Sequence, residues 1–252
     1  MSDTFALTSG PEEDETIPVT NQEEKELRRV FERLCDFDRR NSCAEEIVNT
    51  KMAIRLLKGS HRHKDAEEKE KELELLEHEL NEIKRKTEKK ISVADVFAMM
   101  KTLKAKVTFQ DVQEAVWEVD EDLDQYINWN EMKLMYTRNL TDKSGLEPSK
   151  IFNLAQFLIY DKNENNRVSV DETMNMLYAR YGRSKMEIKL KELFGVNMLE
   201  TGREGGEITF QQFVAAVDKV QLQTFRITTK GKNILLTSAG KRSLDTLVKT
   251  LK

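Results

Sequence analysis

A short segment that begins with a β-branched residue recurs four times in the second half of the chain. Each copy lies between two stretches with the apolar periodicity of a helix. Successive copies are 36, 41 and 40 residues apart, and such a period is typical of a repeated helix–loop–helix unit. The copies are Ile91-Ser92-Val93, Ile127-Asn128-Trp129, Val168-Ser169-Val170 and Ile208-Thr209-Phe210. We therefore predict four such units, whose loop segments pair two by two in two-stranded ribbons.

The composition favours helices over sheet. Only three of the 252 residues are prolines, and none lies between Pro18 and Pro148. Charged residues make up 34% of the chain and hydrophobic residues 38%. With so few helix breakers, long helices are the expected structure. We predict an all-α protein.

Two of the four loops are rich in side-chain oxygens. Residues 120–131 read DEDLDQYINWNE, and residues 161–172 read DKNENNRVSVDE. Positions 1, 3, 5, 7, 9 and 12 of a twelve-residue loop can surround one hard cation with oxygen ligands, as Ca²⁺ requires. The residues at these positions are Asp120, Asp122, Asp124, Tyr126, Asn128 and Glu131 in one loop, and Asp161, Asn163, Asn165, Arg167, Ser169 and Glu172 in the other. Tyr126 and Arg167 would contribute backbone carbonyl groups, and the two glutamates bidentate carboxylates.

Both loops lack the glycine that usually stands at position 6, where the turn needs a positive φ. Asn166 has this place in one loop, and asparagine tolerates the left-handed conformation better than most residues. Gln125 has it in the other, at a strain of about 1 kcal/mol, which weakens ion binding several-fold. We predict that both loops bind Ca²⁺.

The two outer loops depart from this pattern. Counted back from Ile91, the first would cover residues 84–95, KRKTEKKISVAD, and the last would cover residues 201–212, TGREGGEITFQQ. The residues that stand in ligand places there are Lys84, Lys86, Thr201, Arg203 and Gln212. Because basic and neutral side chains replace the acids, we expect neither outer loop to bind Ca²⁺ in this way.

Residues 91 to about 218, roughly half the chain, resemble the EF-hand superfamily that includes calmodulin, centrin and troponin C. The resemblance rests on D-x-[DN]-x-[DN] with a terminal Glu, set between amphipathic helices and repeated. It implies two lobes, residues 65–140 and 148–218, each with one degenerate unit, and Ca²⁺ as the bound ion. A structural interpretation stays open, because acidic, Asn-rich turns are also common solvated connectors.

Segments outside the repeat predict further elements. Residues 1–26 carry eight acids and one base, and residues 1–22 are predicted to be a flexible acidic arm. Residues 23–64 are predicted to form an N-terminal helical extension with a turn at residues 36–43. A charged long helix follows, with a narrow apolar seam that suits a short coiled coil or a helix lying along the protein's own body. The seam consists of Leu73, Leu76, Leu80 and Ile83. Residues 219–252 form a tail with eight bases and one acid.

Several classes of function are not supported. The chain has no combination of nucleophile, base and orienting group, no phosphate-binding glycine loop and no zinc-ligand spacing, so we do not expect an enzyme. The net charge of −4 disfavours nucleic-acid binding. There is no signal-peptide pattern or apolar run long enough for a membrane span, and Cys35 and Cys43 are too few for a disulfide framework. We expect a cytoplasmic protein.

The EF-hand core with extensions at both ends implies an adaptor or regulatory subunit. In build it is similar to EF-hand subunits of ciliary and flagellar axonemes, whose neighbours include the acidic surface of microtubules. This similarity implies cytoskeletal protein partners. A second possible partner is an amphipathic helix in a Met-rich groove, unless the same side chains form plain core. These side chains are Phe152, Phe157, Met174, Met176, Leu177, Met186, Leu190 and Phe194. A structural scaffold component whose EF-hands no longer bind ions and a soluble Ca²⁺ buffer are the alternatives.

Deletion of residues 219–252 tests the role of the basic tail. We expect the truncated chain to bind an acidic surface such as the microtubule more weakly and with less salt dependence, because it loses eight bases. Co-sedimentation with polymerised microtubules at low and high ionic strength measures both effects. Equal binding and equal salt dependence of the full and truncated chains would contradict the prediction.

Overall fold

The computed structural model describes residues 19–86, 88–142, 147–195 and 206–220. The predicted acidic arm up to residue 18 and the predicted basic tail from residue 221 lie outside this part. The described chain is mostly helical, which confirms the all-α prediction. None of the described helices combines the length and the apolar character that crossing a membrane requires.

Nine helices and four short strands make up the described residues. The helices are α1 (Asn21–Leu34), α2 (Phe37–Gly59), α3 (His63–Arg85), α4 (Val93–Thr102), α5 (Phe109–Trp117), α6 (Trp129–Thr141), α7 (Lys150–Tyr160), α8 (Val170–Phe194) and α9 (residues 210–220). The strands are β1 (Ile91–Ser92), β2 (Tyr126–Ile127), β3 (Val168–Ser169) and β4 (Glu207–Ile208). Helix α8 kinks at Gly182, whose φ of 68° interrupts the helical backbone.

The strands form two antiparallel ribbons. β1 pairs with β2, with Ile91 opposite Ile127, and β3 pairs with β4, with Val168 opposite Ile208. The four side chains are at most 4% exposed. The pairing predicted from the repeat is therefore confirmed, and each ribbon joins two loops back to back.

Helix α1 is buried along one face. Thr20 and Glu23 form a capping box at its start, and the apolar residues predicted to share a face are at most 1% exposed. These residues are Leu27, Val30, Phe31 and Leu34. The Phe31 ring packs edge-on against the ring of Trp129 at a centroid distance of 5.5 Å. Burial of each large side chain contributes about 1.5–3 kcal/mol to stability.

Helix α1 joins the two halves of the repeat into one core. It contacts α4 and α6 of the first half and α7 of the second. The buried side chains of α1, α4, α6, α7, α8 and α9 belong to a single continuous cluster. The sequence analysis placed α1 in an extension outside the repeat, whereas its apolar face lies within the core that both halves share.

Helices α2 and α3 form a hairpin beside this core. Helix α2 begins at Phe37, so the turn predicted at residues 36–43 is wrong, and only Asp36 has a left-handed backbone there (φ 52°). Helix α3 packs along α2, so the helix with the apolar seam lies against the chain's own body. Three ion pairs link the two helices: Arg39–Glu79 at 2.7 Å, Lys51–Glu77 at 2.8 Å and Lys58–Glu70 at 2.6 Å.

Both cysteines are buried free thiols. Cys35 is 4% exposed and Cys43 is 5% exposed. Burial raises the pKa of Cys35 to about 12.

The buried ion pair between α1 and α8 allows a stability prediction. Arg180 Nη1 lies 2.8 Å from Glu23 Oε1, and the two side chains are only 8% and 5% exposed. Removal of one partner leaves the other as an unpaired buried charge, at a cost of about 3–5 kcal/mol. We expect Arg180→Ala to lower the free energy of unfolding by about 3 kcal/mol, measured by urea denaturation.

Arg183→Ala is the matched control, because Arg183 lies on the same helix with its side chain 84% exposed. We expect this variant to change the free energy of unfolding by less than about 0.5 kcal/mol. Equal effects of the two substitutions would contradict a stabilising role for the buried pair.

Candidate functional site

The loop between α5 and α6 brings three aspartates together. Asp120, Asp122 and Asp124 each offer one carboxylate oxygen, and these oxygens lie within 4.8 Å of one another. Asp120 is buried, Asp124 is half-buried and Asp122 is exposed. Three negative charges at this separation repel one another, so a bound cation would relieve the repulsion. The side chains predicted at positions 1, 3 and 5 could therefore hold a metal ion.

Asp120 holds the turn of this loop from inside. Its Oδ1 accepts a hydrogen bond from the Asp124 N–H at 3.2 Å, and its Oδ2 accepts one from the Gln125 N–H at 2.8 Å. The Asp124 N–H also donates to Asp122 Oδ1 at 3.2 Å, and the Tyr126 N–H donates to Asp124 Oδ1 at 2.9 Å. The loop backbone thus wraps around the carboxylates and orients them.

Glu131 closes the loop from its far end. Its Oε2 accepts from the Asn128 N–H at 2.9 Å, and the Asn128 side chain accepts from the Glu131 N–H at 3.1 Å, which makes the capping box of α6. The other oxygen, Oε1, accepts from the N–H groups of Glu121 at 3.0 Å and Asp122 at 3.3 Å. One carboxylate therefore caps the helix and binds the start of the loop.

The loop between α7 and α8 repeats this pattern. Asp161 is fully buried and accepts hydrogen bonds from the N–H groups of Asn165 at 3.0 Å and Asn166 at 3.2 Å. Glu172 accepts from the Ser169 N–H at 3.0 Å and from the Asn163 N–H at 3.4 Å. The first and last predicted ligands therefore accept backbone hydrogen bonds in the same pattern in both loops.

The remaining predicted residues of this loop support its backbone. Asn163 Oδ1 accepts from the Asn165 N–H at 3.0 Å, and Asn165 Oδ1 accepts from the Arg167 N–H at 2.7 Å. Ser169 is the N-cap of α8, and its hydroxyl donates to Glu172 Oε2 at 2.8 Å. Five of the six predicted positions thus lie between α7 and α8, and the sixth, Glu172, lies in the first turn of α8.

Each loop has two left-handed residues, whereas the sequence analysis expected one. Gln125 (φ 71°) and Asn166 (φ 66°) have the predicted conformation at position 6. Leu123 (φ 60°) and Glu164 (φ 59°) share it at position 4. Sequence reasoning missed position 4 because neither residue is a glycine or an asparagine, the types that usually mark such a turn.

Two basic residues from outside the loops contact predicted ligands. Lys90 Nζ lies 2.7 Å from Asp124 Oδ2, and this ammonium group holds the pKa of Asp124 below its usual range. Arg33 Nη1 lies 3.6 Å from Asp161 Oδ2. Burial raises the pKa of Asp161, and the Arg33 guanidinium opposes this effect in part. The sequence could have located Lys90, because Lys90 lies next to β1, and β1 was predicted to pair with β2. Nothing in the sequence points to Arg33.

A third carboxylate has the same hydrogen-bond pattern as Glu131 and Glu172. Asp95 forms the capping box of α4 with Ser92, and its Oδ1 accepts from the Asp38 N–H at 3.0 Å. Asp38 lies 57 residues earlier in the chain, in the first turn of α2. The predicted loop at residues 84–95 is therefore only partly a loop, since residues 84 and 85 belong to α3.

The last of the four loops closes with a neutral side chain. Gln212 Oε1 accepts from the Thr209 N–H at 2.9 Å and from the Thr209 hydroxyl at 3.1 Å. The predicted positions Thr201 and Arg203 lie outside the described residues. An amide at the closing position offers a weaker metal ligand than the carboxylates of the two central loops.

Comparisons with known proteins add no family assignment. No protein-family model matches the chain, and no curated protein matches it. The interpretation of the site therefore rests on its residues and their geometry.

The strained conformation at position 6 gives a prediction for the first loop. We expect Gln125→Gly to raise the free energy of unfolding by about 0.5–1 kcal/mol, because glycine adopts a positive φ without strain. Asn166→Gly is the matched control, with a smaller expected gain because asparagine tolerates this conformation. Urea denaturation of both variants measures the difference. A lower stability of Gln125→Gly would contradict the prediction.

Proposed function

We propose that the chain is an EF-hand protein that binds Ca²⁺ through the loops at residues 120–131 and 161–172. The observation that carries the proposal is the shared hydrogen-bond pattern of the first aspartate and the last glutamate in both loops. In each loop the first aspartate and the last glutamate accept hydrogen bonds from backbone N–H groups of the same loop. The close oxygens of Asp120, Asp122 and Asp124 add support.

The donor set suits Ca²⁺. All the proposed ligands are oxygens, from carboxylates, amide or hydroxyl side chains and the backbone carbonyl groups of Tyr126 and Arg167. Ca²⁺ takes six to eight such ligands and tolerates irregular geometry, whereas Mg²⁺ demands a near-ideal octahedron. Backbone N–H groups of the loop donate hydrogen bonds to Asp120 and Glu131, which orients these two carboxylates.

The hydrogen bonds of Asp95 support a different boundary for the first EF-hand unit. In this proposal its helices are α1 and α4, and its loop begins near Asp36 and closes at Asp95. The α2–α3 hairpin would then be an insertion in that loop, and the first lobe would include α1 rather than start at residue 65. Lys86 Nζ lies 3.1 Å from Asp36 Oδ1, so a base already neutralises the first acid of this unit.

We further propose that the protein is an adaptor or regulatory subunit of a larger assembly, cytoskeletal or axonemal in the leading hypothesis. The motivation is the combination of two competent loops with the α2–α3 hairpin and the long tail. The alternative, a static scaffold component, is favoured by one specific observation: α1 fastens both halves into one core, which limits independent opening of a lobe. The residues considered for a Met-rich groove support the same alternative, because most of them are buried in that core.

Calorimetric titration with Ca²⁺ against a Mg²⁺ background tests the binding proposal. We expect saturable binding of one or two ions with a change in tryptophan fluorescence, because Trp129 lies in the first loop against Phe31. Glu131→Gln and Glu172→Gln should each weaken one site by about ten-fold or more, since each removes a bidentate ligand.

Glu121→Gln is the matched control for these variants. Glu121 lies in the same loop, but its side chain points to Arg138 at 2.9 Å and is not a proposed ligand. We expect it to bind Ca²⁺ like the wild-type chain. Absence of saturable binding to the wild-type chain at millimolar Ca²⁺ would overturn the proposal and favour the static scaffold.

A further inference from the structure

Lys90 lies outside the first candidate loop and forms an ion pair with one of its carboxylates. It lies between the end of α3 and the start of β1, with its side chain about one-third exposed. Its Nζ is 2.7 Å from Asp124 Oδ2 and 3.6 Å from Glu88 Oε1. The shorter of these contacts joins the segment between α3 and β1 to a proposed Ca²⁺ ligand.

The contact uses the oxygen of Asp124 that the loop itself leaves free. Asp124 Oδ1 accepts a hydrogen bond from the Tyr126 N–H at 2.9 Å, and among the described residues Oδ2 accepts one from the Lys90 ammonium. A divalent ion bound by Asp120, Asp122 and Asp124 would lie at the same Asp124 carboxylate as the Lys90 ammonium. Two cations at one carboxylate repel each other, so the ion and Lys90 compete for Asp124.

The second loop lacks this arrangement and provides an internal comparison. Its fifth position is Asn165, which is neutral and whose side-chain NH₂ donates to Glu207 Oε1 at 3.4 Å. Arg33 contacts a proposed ligand of that loop at Asp161 Oδ2, an oxygen that also accepts a hydrogen bond from the Asn166 N–H. A tethered ammonium on a free ligand oxygen therefore distinguishes the loop at residues 120–131.

We propose that Lys90 is an internal counter-cation of the loop at residues 120–131, and that a divalent ion displaces it on binding. The proposal rests on the proposed Ca²⁺ function of that loop and names a residue that regulates it. Lys90 partly neutralises the three aspartates when the ion is absent, and so it lowers the affinity for the ion. Because Lys90 belongs to the segment between α3 and β1, ion binding also removes one of the contacts that hold this segment in place.

Two neighbouring lysines show why the displacement stays local. Lys86 Nζ lies 3.1 Å from Asp36 Oδ1, and Lys89 Nζ lies 3.8 Å from Glu32 Oε1. Neither acid lies in the loop at residues 120–131, so we expect both contacts to persist when an ion binds there. Loss of the Lys90 contact frees the lysine side chain while the other two lysines and β1 keep the segment in place.

The test is a Ca²⁺ titration of Lys90→Met in a Glu172→Gln background, where only the first loop retains its full ligand set. Methionine keeps much of the apolar stem of lysine and removes the charge. We expect the affinity for Ca²⁺ to rise about two- to five-fold at low ionic strength, and less at high salt. Trp129 fluorescence reports binding at this loop. In a Glu131→Gln background, Lys90→Met should leave the affinity of the second loop unchanged.

Lys89→Met is the matched control, since it removes the same charge one residue away, and Lys90→Arg should keep the wild-type affinity. An equal gain in Lys89→Met and Lys90→Met would overturn the proposal, because net charge alone would then explain it. No gain in Lys90→Met, with saturable binding in the parent chain, would overturn the proposal and leave the proposed function intact. If neither chain takes up Ca²⁺ or Tb³⁺, both proposals fail.

Discussion

In the two candidate loops, the last carboxylate ties the start of the loop to the helix that follows. Glu131 and Glu172 each cap that helix and accept a hydrogen bond from an N–H group near the start of the same loop. Asp95 caps α4 in the same way and accepts a hydrogen bond from the Asp38 N–H in the first turn of α2. A buried or half-buried carboxylate is costly unless hydrogen bonds satisfy it, and here the backbone supplies them. The geometry of the candidate ligands follows from this, because the same bonds set where each loop begins and ends.

Helix α1 connects that local geometry to the rest of the molecule. Its apolar face lies in the shared core, and Phe31 touches Trp129 of the first loop. On its polar side, Arg29 Nη2 donates a hydrogen bond to the Leu158 carbonyl at 2.9 Å, near the C-terminal end of α7. A positive charge at this end of a helix interacts favourably with the helix dipole. With Arg33 beside Asp161, α1 contacts both candidate loops. A structural change in either loop would therefore alter contacts of the same helix.

The sequence located the two candidate loops but not the residues that contact them from elsewhere in the chain. The spacing of acids and asparagines located both loops, since a twelve-residue turn places its ligands by local backbone geometry alone. The left-handed Leu123 and Glu164 went unrecognised because their side chains carry no turn signal. Lys90 and Arg33 also lie outside the twelve-residue windows, and their contacts depend on how distant elements pack.

The sequence by itself determined the helical class, the apolar face of α1 and the pairing of the four loop segments, because each depends on periodicity or spacing among near neighbours. Only the tertiary structure decided that α1 lies inside the shared core and that residues 36–43 begin a helix rather than a turn. The bond from the Asp38 N–H to Asp95 is the clearest case. It spans the whole α2–α3 hairpin, and no local pattern encodes a contact that forms only when that hairpin folds back and brings its two ends together.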